Sequence, residues 1–185
     1  MNKQVRQPLL QPTPPAAEAM RVETILNGVK ERFGFVPDGL RLYGLSPTLL
    51  ENFLAGVGYF MNHPRLEQQL LAMIRYLGSV RVECPFCIDF NEAYLTQLGA
   101  DLDQVRASRG DIDKAPVSAA ALPLLRLALK GLDNPDAVNE ADLDAVRKHG
   151  WSDSDMFDVV AVAAQNRAFT TLLKTFKVEQ QGVFA

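Results

Sequence analysis

The chain has 185 residues, is 48% hydrophobic and carries a formal net charge of −3. That supplies apolar material for one sizeable core but no basic field for nucleic acid or an anionic membrane. No apolar run approaches the roughly 18–20 residues of a membrane span. Lys3 and Arg6 are followed by prolines where a secretory signal would need an apolar stretch, so a cytoplasmic protein is expected.

Residues 1–20 place Pro8, Pro12, Pro14 and Pro15 among small and polar residues, the composition of an extended N-terminal arm. Residues 21–185 are expected to form a single helical domain. Val22, Ile25, Leu26 and Val29 predict a first helix over about 18–32, stopped by Gly34. A short segment after Pro37 carries Leu40, Leu42 and Leu45. Ser46 as N-cap and Pro47 at the first helical position open a helix striped by Leu49, Leu50, Phe53, Leu54, Val57 and Phe60. Pro64 is expected to open the next helix, with Leu66, Leu70, Met73, Ile74 and Leu77 buried. A helix over the Cys84-Pro85-Phe86-Cys87 motif should end near Gly99, and Asp101 with Gln104 caps a short one to about Ser108.

After a polar loop at 109–116, an Ala- and Leu-rich helix is expected from about Ala119 to Gly131, with Pro123 in its first turn. Asp133-Asn134-Pro135 is a turn. Asn139 caps a helix ending at Gly150. Ser152 with Asp155 opens a long one whose expected stripe is Phe157, Val160, Ala164, Ala168, Leu172 and Phe176. No segment alternates with period two between hairpin turns. The reading is all-α, with about seven or eight helices.

The two cysteines are the only ones in the chain. In a reducing compartment such a pair is more often catalytic or metal-binding than a structural staple. A structural zinc site wants four Cys or His ligands, and only the distant His63 and His149 remain, so no metal is expected. A thioredoxin-like setting would need a strand before the motif, where a helix is expected instead. What remains is a helical dithiol. Cys84 falls at the helix N-terminus, where free N–H groups and the helix dipole favour a thiolate. Cys87 lies on the same face within disulfide reach. Ile88, Asn91, Leu95 and Leu98 continue that face, which turns the pair inward. Two buried cysteines acting as small hydrophobes form the structural alternative.

The apolar helix before the motif, the segment Cys84-Pro85-Phe86-Cys87-Ile88-Asp89-Phe90-Asn91 and the late Gly150-Trp151-Ser152-Asp153 helix start together resemble the AhpD-like, carboxymuconolactone decarboxylase superfamily. The similarity is to its peroxidase-related, alkylhydroperoxidase-like branch and covers most of the chain after residue 20. The resemblance implies an AhpD-like helical bundle that assembles as a homo-oligomer (dimer, trimer or hexamer). It also implies a dithiol that reduces hydroperoxides without a cofactor. Cys87 would attack, Cys84 would resolve, and an external dithiol or thiol would restore both.

Two positions depart from that pattern. Where the resembled proteins carry a His four residues after the second cysteine and a Glu twelve before the first, this chain has Asn91 and Ala72. Asn91 can hydrogen-bond but not accept a proton at neutral pH. Candidate replacements are Glu83, Asp89, Glu67 and His63. Glu83 and Asp89 also suit a helix N-terminus electrostatically, Glu67 is equally an ordinary first-turn acid, and His63 a loop or cap residue. Two further functions compete. One is a decarboxylase-like enzyme acting on a small organic acid, which would need a cationic clamp from Arg65, Arg75 or Arg81. The other is a non-enzymatic redox sensor or oligomeric binding module.

Overall fold

The computed structural model of the chain describes residues 7–184; the first six residues of the expected arm lie outside them. The described residues contain no strand and nine α-helices: α1 (Ala19–Phe33), α2 (Asp38–Tyr43), α3 (Pro47–Met61), α4 (Gln68–Arg81), α5 (Pro85–Gln97), α6 (Leu102–Ala107), α7 (Leu122–Asp133), α8 (Glu140–Arg147) and α9 (Asp153–Phe176). None is long and apolar enough to cross a membrane.

The chain groups into two compact units, Phe60–Thr170 and the segments up to Tyr59 and from Thr171. In the latter, Val22, Val29, Leu40, Leu42 and Leu50 are buried. The Tyr43 and Phe53 rings lie 4.8 Å apart. The C-terminal tail is tied to α2, where the Val183 N–H donates to Asp38 Oδ2 at 2.7 Å. α2 raises the count above the expected seven or eight. Pro37 ends the preceding extended stretch, and its carbonyl accepts the N–H groups of Leu40 and Arg41.

In Phe60–Thr170 the core gathers Leu70, Met73, Ile74 and Leu77 of α4, Leu95 of α5, Leu124, Leu125 and Ala128 of α7, Val146 of α8 and Val159 and Val162 of α9. α4 and α5 form the most extensive helix–helix contact.

Three expectations are corrected. α4 starts at Gln68, not Pro64. His63 Nδ1 accepts the N–H groups of Arg65 and Leu66, which holds the chain in a turn, and Glu67 is extended. α7 starts at Leu122 rather than Ala119, because the Pro123 ring would clash with the carbonyl one turn earlier.

The third correction concerns α9. Phe157 is 73% exposed, and Ala164 and Ala168 face outward. Its buried residues include Met156, Val159, Val162, Ala163 and Leu173. The helix is apolar on more than one face, so a period of 3.6 fits two registers. Leu98, expected on the inward face of α5, is likewise half in solvent.

Candidate active site

The end of α4 sets up the dithiol. The Glu83 N–H donates to the Val80 carbonyl at 3.1 Å and the Cys84 N–H to the Ser79 carbonyl at 3.2 Å. This is the paired closure of a Schellman terminator. It requires a left-handed residue, and Glu83 supplies it at φ +52°. Pro85 then restricts Cys84 to the extended region, where it sits at φ −92°, ψ 102° as the N-cap of α5. The Cys84 carbonyl accepts the Ile88 N–H at 3.0 Å, and α5 begins. One turn on, Cys87 returns to the same side.

The two sulfurs are 2.8 Å apart. Both cysteines are free thiols, with Cys84 0% and Cys87 4% exposed. Donating its proton to an ionised Cys84 pushes the Cys87 thiol well above the usual range; burial and the charge on Cys84 push the same way, and a hydrogen bond from Ser79 opposes them. Two charges cannot share so small an apolar space. The pair therefore holds at most one negative charge at neutral pH, and its remaining proton bridges the sulfurs.

Ser79 of α4 is fully buried. In the thiol form its hydroxyl donates to the Arg75 carbonyl at 2.7 Å. Asn166 of α9 donates from Nδ2 to that same carbonyl at 3.2 Å and to Ser79 Oγ at 3.1 Å. The Ser79 hydroxyl can thus rotate to a Cys87 thiolate while Asn166 keeps the carbonyl satisfied.

Asn91 is buried one turn beyond Cys87. Its Nδ2 donates to the Cys87 main-chain carbonyl at 2.7 Å, and its Oδ1 accepts from Arg75 Nε at 3.4 Å. The structure therefore brings Cys84, Cys87 and Asn91 together and adds Ser79 and Asn166, which the sequence reading did not name, and Arg75, which it named only as one of three arginines for a carboxylate clamp. No spacing rule could have found Ser79 or Asn166, since Ser79 meets Cys87, and Asn166 meets Ser79, only through helix packing. Ala72, two turns back along the Ser79 face of α4, is wholly buried.

The remaining candidates lie elsewhere. Glu83 and Asp89 are solvent-exposed, and Glu67 is an exposed residue at the N-cap of α4. His63 uses Nδ1 to hold its own turn, so its Nε2 carries the proton and donates to Asp158 Oδ2 at 3.2 Å. The neighbouring Glu92 of α5 is a structural knot. It accepts from the Tyr76 hydroxyl at 2.9 Å and from Arg106 and Arg109, and Arg106 first among these holds its carboxyl below the usual range. Tyr59 is exposed, Tyr76 fully buried, and Trp151 packs under Arg65 while donating to the Ala120 carbonyl. Among the described residues no group of three or more His, Cys, Asp or Glu is placed to hold a metal ion.

No known protein-family profile matches the chain, and no curated protein matches it in sequence. Solved structures do. An uncharacterized peroxidase-related protein from Silicibacter sp. TM1040 is 22% identical, over 95% of this chain and 93% of that one, at TM-score 0.81. An alkylhydroperoxidase AhpD core, a peroxidase-related protein from Ralstonia eutropha JMP134, is 25% identical over 97% and 94%, at TM-score 0.77. The debrominase Bmp8 is 18% identical over 98% and 94%, at TM-score 0.73; another structure of it is a complex with 2,3,4-tribromopyrrole. The chain has the AhpD-like helical fold of the peroxidase-related proteins.

Proposed function

We propose that this AhpD-like chain is a thiol-dependent peroxidase in which Cys84 and Cys87 cycle between dithiol and disulfide. The observation that carries the reading is the buried sulfur pair at 2.8 Å, close enough that disulfide closure needs only a small side-chain adjustment.

Transfer of the shared proton from Cys87 to Cys84 frees the Cys87 thiolate, which attacks the outer oxygen of a hydroperoxide. The O–O bond breaks, leaving a sulfenic acid on Cys87 and an alkoxide. The Cys84 thiol, the nearest proton source, protonates that alkoxide to the alcohol. This supplies the proton that a His/Glu relay would otherwise provide. The Cys84 thiolate so formed attacks the Cys87 sulfur, hydroxide leaves and takes a proton from solvent, and the disulfide is complete. An external dithiol, available in a reducing cytoplasm, restores both thiols by exchange. Ser79, turning its hydroxyl to Cys87, stabilises the attacking thiolate. Asn91 holds the first turn of α5 in register. Glu83, Asp89, Glu67 and His63 need take no part.

The test is hydroperoxide consumption driven by a small dithiol, in wild type, Cys84→Ser and Cys87→Ser. Wild type is expected to turn over and both variants to lose at least about a hundredfold, the scale of removing a nucleophile or its acid partner. A wild type that forms and reduces its disulfide without consuming peroxide would instead make the protein a redox sensor. A brominated pyrrole is the second electron acceptor to offer, because the same two-electron exchange would serve the substrate type of the debrominase with a similar fold.

A further inference from the structure

Three arginines flank the dithiol helix in sequence, and their partners differ. Arg65 donates from Nε to both oxygens of Asp155, at 3.1 and 3.0 Å, and from Nη2 to the Gly150 carbonyl. Arg81 donates to Asp133 Oδ2 at 2.7 Å and to the Leu77 carbonyl at 3.0 Å. Both are structural ion pairs. Arg75 has no carboxylate within 4.0 Å among the described residues. Its single bond is the long 3.4 Å contact from Nε to Asn91 Oδ1, and no described residue accepts from its Nη1 or Nη2.

That is an unusual position for a guanidinium. Arg75 is half-buried, and desolvation pulls it down to about 10 while the nearby Tyr94 oxygen opposes the shift. It remains cationic at neutral pH. A charge drawn partly out of water is ordinarily paired, because desolvation without a partner is costly. The Arg75 fork presents a donor pair matched to a planar carboxylate. It lies one side chain from the dithiol, because the Asn91 amide bridges Arg75 Nε to the Cys87 carbonyl. Gln68 and Tyr94, linked at 3.5 Å, extend the same polar seam between α4 and α5.

We propose that Arg75 is a specificity residue that binds an anionic group, a carboxylate, on the molecule the dithiol acts on. Under the thiol-peroxidase reading, on which this substrate class rests, the preferred substrate is a carboxylate-bearing organic hydroperoxide rather than a neutral one. The anion preference itself belongs to the site and is measurable without turnover.

The experiment compares alkylation of the reduced protein by iodoacetate and by iodoacetamide, which deliver groups of nearly equal size, one charged and one neutral. The readout is the ratio of the two rates, which cancels general changes in thiol reactivity. Arg75→Gln is expected to lower that ratio about tenfold, equivalent to about 1.4 kcal/mol, and Arg75→Lys to recover part of it. In the unmodified protein, added benzoate should slow iodoacetate alkylation while benzamide does not, a result that needs no variant to fold. Steady-state assays then compare a fatty-acid hydroperoxide with its methyl ester, and the free acid should lead in kcat/KM only when Arg75 is present. An unchanged alkylation ratio in Arg75→Gln, or equal effects of benzoate and benzamide, overturns the proposal even if peroxide is consumed. An Arg75-dependent ratio with no peroxide turnover keeps the anion site and removes the peroxidase reading.

Discussion

Ser79 has one hydroxyl hydrogen and two acceptors competing for it, the Arg75 carbonyl and the Cys87 sulfur. Because that hydrogen bond lowers the Cys87 thiol against the upward push of Cys84 and burial, its removal has a definite sign. Ser79→Ala is expected to raise the apparent pKa of the reactive thiol by roughly 0.5–1 unit, the equivalent of one hydrogen bond of about 1 kcal/mol. The pH profile of iodoacetamide alkylation reads it, and an unmoved profile would show that Ser79 serves packing alone. The cysteines were legible in the sequence because two such residues in one motif are rare enough to stand out. Asn91 was legible as a polar residue on an apolar face. Its partner was not, since whether an amide bonds a sulfur or a main-chain carbonyl depends on a rotamer. Arg75 stood in the sequence as one of three equivalent arginines, and only the ion pairs of Arg65 and Arg81 separate it from them.

At the scale of elements, the junction between α4 and α5 determines where the sulfurs point. Glu83 holds a left-handed conformation that costs an L-residue about 1–2 kcal/mol and a glycine almost nothing. Glu83→Gly is therefore expected to be more stable than Glu83→Val by about 1–2 kcal/mol in denaturant unfolding, with peroxide turnover retained in the glycine variant. Loss of turnover in a stable Glu83→Gly protein would instead give the carboxylate a chemical role. Helix starts marked by side-chain caps were read well: Asn139 and Asp142 form a reciprocal box at α8, and Ser152 and Asp155 do the same at α9. Starts marked by proline alone were misplaced, at Pro64 by the His63 turn and before Pro123 by the ring's own clash. The motif helix was placed correctly because Pro85 limits both itself and the residue before it.

At the scale of the whole molecule, the all-α class followed from the absence of period-two segments, and the AhpD-like fold from the motif in its helical setting. The division into two compact units left no mark in composition, and the outward turn of Phe157, Ala164 and Ala168 was hidden by a helix apolar on several sides. Every group placed in the reaction lies within Phe60–Thr170, so the chemistry is a property of α4, α5 and α9 packed around one sulfur pair. The most direct measurement is a single-turnover titration of the fully reduced protein with hydroperoxide, without external thiol, counting free thiols and alcohol product. A dithiol peroxidase loses two thiols and forms one alcohol for each peroxide consumed, with an intramolecular Cys84–Cys87 disulfide as the sole protein product. Loss of thiols without alcohol, or a product oxidised on one cysteine with the other left free, would contradict it.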